Sequence, residues 1–337
     1  MTSTHIKIIT GNHRGQDISG RVYELVEGYK NTGKTGFVTV KNPDGEVPRQ
    51  YRIKVSGASD YEFVQPAEIH IVETKPTVET DEEIIERIRS RFEIQDAMTT
   101  AVTNGDIRAM IVSGPPGVGK SFGIETIIEK ATMFDKIAGR RLRAEVVKGS
   151  ASALGLYSTL YKYSDSNCVI VFDDCDSILL DDDCLNLLKG ALDSGKRRKI
   201  SWLADSHMLR REGVPGTFEF NGGVIFITNL KFDTIKSQKL RDHLDALQSR
   251  CHYLDLTLDT MRDKILRIKQ IAKDGILFED MGITEIEQQE VIAFMETNQD
   301  KLREMSLRMA IKVAQLRKSF PTRWTAMAES TCMKQKS

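Results

Sequence analysis

Two stretches of the chain fit the pattern G-x-x-x-x-G-K-S/T, which sets a lysine and a hydroxyl where a polyphosphate can be gripped. They are residues 28–35 (GYKNTGKT) and residues 114–121 (GPPGVGKS). The pattern works only in one context. The loop must leave the C-terminal end of a buried strand and open a helix, so that backbone N–H groups and the positive helix end face the anion. The second stretch has an apolar strand pattern before it (RAMIVS) and an amphipathic helix pattern after it (SFGIETIIEKATMF). Gly114, Pro115, Pro116, Gly117, Val118, Gly119, Lys120, Ser121 and Phe122 are therefore the candidate phosphate-binding residues. Lys120 would reach the terminal phosphates, and the Ser121 hydroxyl would touch a Mg²⁺ ion. The first stretch fails on its exit. Thr35 is followed by glycine and then FVTV, an alternating β-branched run that reads as strand. Lys34 is expected in a hairpin turn, not a phosphate site.

Two acid-tipped or amide-tipped strands complete the chemistry. CVIVFDDCD is an apolar run ending in carboxylates, and Asp173 is the candidate to hold Mg²⁺ together with Ser121. GVIFITN ends in Asn229, whose amide could orient a water beside a terminal phosphate. Each of these is weak alone and gains weight from the phosphate loop upstream.

In this order the motifs resemble the AAA+ ATPases: phosphate loop, VIVFDD, VIFITN, LDALQSRCHYLDL, then a helical C-terminal part, over roughly residues 80–320. The resemblance implies an α/β fold, an αβα core with a five-stranded parallel sheet and a helical lid. It also implies ATP and Mg²⁺ as cofactors, and a homo-oligomeric ring or spiral, expected as a hexamer, in which a neighbour's arginine completes each ATP site. Asn229 matches the family's sensor 1 position. Arg250, in Ser249-Arg250-Cys251, looks like the arginine finger of clamp-loader-type members, with Arg241 as the other candidate. Arg308, in LREMSLRMAIKV, resembles the lid arginine called sensor 2. Plainer readings stand beside these: a helix C-terminal arginine facing the macrodipole for Arg250, and an exposed arginine on an amphipathic helix for Arg308. One position departs from the family pattern. Active members mostly end this strand Asp-Glu, whereas here Asp174 follows Asp173. Its carboxylate is one methylene shorter, so Asp174 is expected to act as the base in slow hydrolysis.

These residues need elements to carry them. The chain has 337 residues, 40% hydrophobic and 28% charged, enough for about two domains with real cores. Lys+Arg and Asp+Glu both number 48, so no global field draws the protein to nucleic acid or to an anionic membrane. No apolar run approaches the ~20 residues of a membrane helix, and no signal peptide is visible. Five cysteines without C-x-x-C spacing read as reduced thiols, which points to the cytoplasm. The six histidines show no zinc-ligand spacing.

Residues 5–72 read as short strands broken by turn signals, which suggests a small β-barrel. TGNHRGQDISGRV within it resembles the Gly-spaced turn of KOW/SH3-like barrels. A polar segment, ETKPTVETDEE, breaks the pattern near residues 73–80. The expected domains are a target-binding barrel over 1–75, a nucleotide-binding core over 76–257 and a helical lid over 258–337. In the core, strand and helix patterns alternate, as a mostly parallel sheet requires.

Two segments could touch a substrate. In VKGSASALGLY, Leu154, Leu156 and Tyr157 would either grip a polymer from a pore loop or pack a helix into the core. In GKRRKISWLADSHMLRREG, Lys196, Arg197, Arg198, Lys199, Arg210 and Arg211 surround Trp202. That mixture suits phosphate contacts with base stacking; a charge run on a solvated hairpin, or arginines contacting the adjacent subunit's nucleotide, is the plainer reading. The expected activity is an oligomeric ATPase that remodels or translocates a protein or nucleic acid. The alternatives are an ATP-dependent assembly scaffold or loader with slow hydrolysis, and a binding module whose oligomerisation ATP controls.

Overall fold

The computed structural model describes residues 4–13, 16–31, 36–41, 50–64 and 79–334. The chain forms two compact units, Met1–Val78 and Glu79–Ser337. Residues 65–78, which take in most of the segment 73–80 where a boundary was expected, lie outside the described residues, as do Arg14 and Gly15 of the KOW-like turn.

The first unit is an antiparallel sheet. Its described strands are β1 (His5–Ile8), β2 (Asn12–His13), β3 (Gln16–Asp17), β4 (Val22–Asn31), β5 (Gly36–Lys41), β6 (Gln50–Val55) and β7 (Tyr61–Val64), in the order β3-β2-β6-β5-β4-β1-β7. Period-two alternation builds its core: Ile6 and Ile8 point inward past Lys7 and meet Val38, Val40, Ile53 and Val55. The first phosphate-loop look-alike falls between β4 and β5, which pair antiparallel with Lys30 opposite Phe37 and Asn31 opposite Gly36. Thr32, Gly33, Lys34 and Thr35 themselves lie outside the described residues. A strand, not a helix, follows them.

The second unit opens with α1 (Asp81–Asn104), which the sequence TDEE starts: Thr80 accepts from the Glu83 N–H while the Glu83 carboxylate accepts from the Thr80 N–H. Such a capping box stabilises a helix start by about 1 kcal/mol. Beyond it lies a five-stranded parallel sheet of β8 (Ala109–Ser113), β9 (Ala144–Lys148), β10 (Val169–Asp173), β13 (Gly223–Thr228) and β14 (His252–Asp255), ordered β14-β8-β13-β10-β9. Every residue of the three central strands is buried, as a sheet covered on both faces demands.

Alternation along those strands feeds two cores. Met110, Val112, Val169, Val171, Ile225 and Ile227 pack with α1 and with α2 (Lys120–Ile137). Ile111, Ile170, Phe172, Val224 and Phe226 pack on the other face with α3 (Ala153–Lys162), α4 (Asp176–Leu180), α5 (Asp182–Ala191) and α7 (Gln238–Gln248). A short antiparallel pair, β11 (Lys199–Ser201) and β12 (Thr217–Glu219), brackets α6 (His207–Arg211). The C-terminal part is all helix: α8 (Met261–Lys273), α9 (Glu285–Thr297), α10 (Leu307–Ser319) and α11 (Trp324–Cys332). Its apolar residues Ile265, Leu266, Val291, Met309 and Val313 join the same core cluster as α1 and α2. That shared core fixes these helices over the end of the sheet where the phosphate loop emerges.

Candidate nucleotide site

The parallel register brings the chemistry together. Ser113 at the end of β8 lies opposite Thr228 of β13, and Asp173 at the end of β10 lies opposite Ile227. The next residues of the three strands, Gly114, Asp174 and Asn229, therefore leave the sheet side by side. The loop over residues 114–119 turns directly into α2, with Gly119 as its N-cap at φ 103°. A Cβ there would touch Leu307, standing 3.4 Å from its Cδ1, so it is the positive φ that favours glycine.

Lys120, only 6% exposed, aims its ammonium back across the loop. It donates to the Gly114 carbonyl at 2.6 Å, the Pro115 carbonyl at 3.0 Å and Asn229 Oδ1 at 2.8 Å. Asn229 Nδ2 in turn donates to Asp174 Oδ1 at 2.7 Å. One amide thus ties the lysine to the second acid. Burial pulls the Lys120 pKa down from 10.5 to about 8, with nearby Arg308 pushing the same way and Asp174 and Asp173 opposing. Ser121 Oγ donates to Asp173 Oδ1 at 2.9 Å, and Lys148 faces the other oxygen of Asp173 at 3.4 Å.

Asp174 holds a left-handed backbone, φ 52°, a conformation that costs a non-glycine residue about 1 kcal/mol or more. Its N–H donates to the Ile227 carbonyl, which holds that turn in place. That turn sets the exposed Asp174 carboxylate against the Asn229 amide.

A cavity of about 330 Å³ extends from this edge under the C-terminal helices. Gly119, Lys120, Ser121, Asp174 and Asn229 form its polar end. Ile271 and Ile276, with Leu307 and Ile311 from α10, form an apolar end. The start of α10 is pinned to the loop: the Leu307 N–H donates to the Gly117 carbonyl at 2.8 Å, and Ser306 caps the helix. Gly117, at φ 73°, has room for no side chain, because a Cβ would come within 2.7 Å of Ser306 Cβ. Its glycine thus serves contact with the helical part. The same contact sets Arg308 at the cavity wall.

Arg250 and Arg241 are not brought to this cavity. Arg250 follows α7 and donates to the Ala246 carbonyl at 2.6 Å, with its Nε buried and unpartnered. Arg241 Nη2 donates to the Ile235 carbonyl at 2.5 Å.

The structure decides between the readings left open for the two substrate-contact segments. Leu156 and Tyr157 do not face a channel: both are fully buried in α3, and the Tyr157 hydroxyl donates to the Pro215 carbonyl at 2.8 Å. Leu154 packs half-buried against the same core. Arg198 is likewise internal, donating to the carbonyls of Ala191 and Gly222 with its guanidinium over Phe220. Trp202 lies against Tyr157, so its ring is partly spent on the core. Lys196, Arg197, Lys199, Arg210 and Arg211 remain exposed, with Arg210 paired to Asp205.

Sequence reading missed Arg267, a charged residue on the buried stripe of α8 that lines this cavity.

Residues 110–251 match the family described as "ATPase family associated with various cellular activities (AAA)". A protein of Enterobacteria phage T4, "Uncharacterized 36.7 kDa protein in nrdC-mobD intergenic region", is 30% identical over 327 residues, 96% of each chain. The chain belongs to the AAA ATPase family. Among solved structures, the replication initiator DnaA bound to AMPPCP and single-stranded DNA is similar over 72% of this chain, at 13% identity and TM-score 0.41. The Aeropyrum pernix ORC1 protein in complex with DNA is similar over 71%, at 10% identity and TM-score 0.42. The chain spans 64% of the length of each of those two. No helix among the described residues of this AAA ATPase is long and apolar enough to cross a membrane.

Proposed function

We propose that this protein is a Mg²⁺-dependent ATPase whose oligomer remodels or translocates a macromolecule in the cytoplasm. The observation that carries the reading is the linked polar edge: Lys120 bonded to Asn229, Asn229 to Asp174, and Ser121 to Asp173. On this reading Lys120 exchanges the Gly114 and Pro115 carbonyls for terminal phosphate oxygens. The N–H groups at the start of α2 face the same phosphates. Asn229, held between Lys120 and Asp174, positions the attacking water, and Asp174 accepts its proton. Arg308 reaches the nucleotide from α10, and Arg250 reaches the site of a neighbouring copy in a ring or spiral, expected as a hexamer.

A hydroxyl and a carboxylate already within hydrogen-bond reach are the hard oxygen donors that Mg²⁺ takes. Among the described residues no group of three or more His, Cys, Asp or Glu could hold a metal without help. Ser121 and Asp173 would therefore hold the ion jointly with phosphate oxygens, and it would supply charge neutralisation at the transferred phosphoryl group.

The exposed Lys196, Arg197, Lys199 and Arg211 favour a polyanionic substrate over a protein one. The unit Met1–Val78 would select the target, and five free thiols suit a reducing compartment. A scaffold or loader with slow turnover is the second reading, favoured by the short, strained Asp174 in place of a glutamate.

The test is ATP binding and turnover with Mg²⁺ in three variants. Lys120→Ala should lose binding, and Lys34→Ala should keep it. Asp174→Asn should bind ATP while turnover falls about 10²-fold or more. Loss of binding in Lys34→Ala but not in Lys120→Ala would sink the assignment. Polymer-stimulated turnover supports remodelling, whereas ATP-driven assembly with negligible turnover supports the scaffold.

A further inference from the structure

We propose that Arg267 binds the diphosphate portion of the nucleotide, a cation delivered from α8 to the Gly119 end of the phosphate loop. This role rests on the nucleotide reading above. The side chain is 6% exposed and lines the cavity shared by Gly119, Lys120 and Arg308. A guanidinium carries five N–H donors and no acceptor. Here one bond is made, from Nη1 to the neutral Gln270 Oε1 at 3.0 Å, while the buried Nε has no partner. The carboxylates of Asp274 and Asp96 act on it through their field, and neither forms an ion pair with it. Its guanidinium also lies on the face of Phe92, with the guanidinium carbon 3.5 Å from the ring centroid.

Removing a charge from water without pairing it is expensive, and proteins rarely leave one so. Burial lowers even this guanidinium to a pKa of about 10, so it stays charged at neutral pH. The direction in which it points supplies the missing partner. A Cβ built on Gly119 would stand 3.7 Å from Arg267 Nη2. Gly119 caps α2, where backbone N–H groups and the helix dipole already favour an anion. The Phe92 ring below holds the planar fork at a fixed tilt, which suits the bidentate grip of a phosphate. A strut that served only packing would need neither the charge nor the open side toward the loop.

Arg267→Met keeps the volume and removes the charge. It should weaken ADP and ATP together by about tenfold to a hundredfold, the loss expected for hydrogen bonds to a charged group. Adenosine, which lacks phosphate, should bind the variant as it binds the wild type. Without nucleotide the variant's Tm should equal or exceed that of the wild type, because an unpaired buried charge is gone. Arg267→Lys, which preserves charge and fold, should recover part of the ADP affinity. Undiminished ADP binding by Arg267→Met, or an equal loss for adenosine and ADP, overturns the role. So does a lowered nucleotide-free Tm with no selective loss of ADP, the mark of a structural strut. If Arg267→Met does not fold, ADP binding by Arg267→Lys that is measurable but weaker than that of the wild type supports the bidentate grip. Wild-type ADP affinity in Arg267→Lys overturns that grip. Failure of the wild type itself to bind ADP or ATP overturns the nucleotide reading, and this inference with it.

Discussion

Raising the pH from 7 to 9 should release the nucleotide, because the loop lysine sits at an unusually low pKa. Lys120 titrates at about 8 rather than 10.5. An anionic phosphate chain beside it would restore the charged form, so only the protonated lysine binds well. With a pKa of about 8, roughly nine-tenths of the protein carries that proton at pH 7 and roughly one-tenth at pH 9. Affinity for ADP or ATP should therefore fall about tenfold over those two units. At pH 9 each binding event should take up about 0.9 proton from lysine, against about 0.1 at pH 7.

Calorimetry in buffers of different ionisation enthalpy reads that uptake directly. Few other groups interfere. No histidine lines the cavity, and the Cys184 and Cys251 thiols are pushed up to about 12 by burial. Arg267, at about 10, adds about 0.1 proton at pH 9. The sign for folding runs the opposite way to an ordinary paired lysine. The unfolded chain holds the Lys120 proton up to about 10.5 and the folded chain only to about 8, so this group makes stability rise with pH across that window. An affinity that stays flat from pH 7 to 9, with no proton uptake, would refute the claim that Lys120 must be charged to hold phosphate.

Tyr157→Ala should lower unfolding stability by about 3–5 kcal/mol in denaturant titration, because the ring is a core ring and not a pore contact. Tyr157→Phe should cost about 1 kcal/mol by leaving the Pro215 carbonyl without its donor, and should leave polymer-stimulated turnover intact. Mixing Arg250→Ala chains with Lys120→Ala chains should restore part of the ATPase activity that each lacks, since a mixed oligomer pairs an intact loop with an intact arginine. No recovery in mixtures that co-assemble would count against Arg250 acting across an interface.

What could be seen in the residues alone follows how local each determinant is. The phosphate loop was legible because strand, glycines and helix are contiguous, and the same test separates it from residues 28–35, whose two flanking strands pair antiparallel. Asn229 and Asp174 were legible as strand tips, but their bond was not, because it depends on β13 lying next to β10 in the sheet. Tyr157 shows the opposite failure. LGLYSTLY carries the apolar spacing of a helix, and nothing local says whether that face meets a channel or the back of the sheet.

Arg198 and Arg267 share a different lesson. Arg198 is two residues from the buried Ile200 and so falls on the inward side of the β11 alternation. Arg267 stands one turn before Ile271, on the stripe that α8 turns toward the cavity. Periodicity places both on the inward side of their elements, a signal that their charge masks. An arginine at an apolar position must find acceptors within the fold or bring them in from outside. Arg198 finds two carbonyls. Each guanidinium also lies over an aromatic ring, but Arg267 finds only one acceptor, an amide, and leaves its buried Nε unpartnered beside the phosphate loop, which is the physical argument for a ligand there.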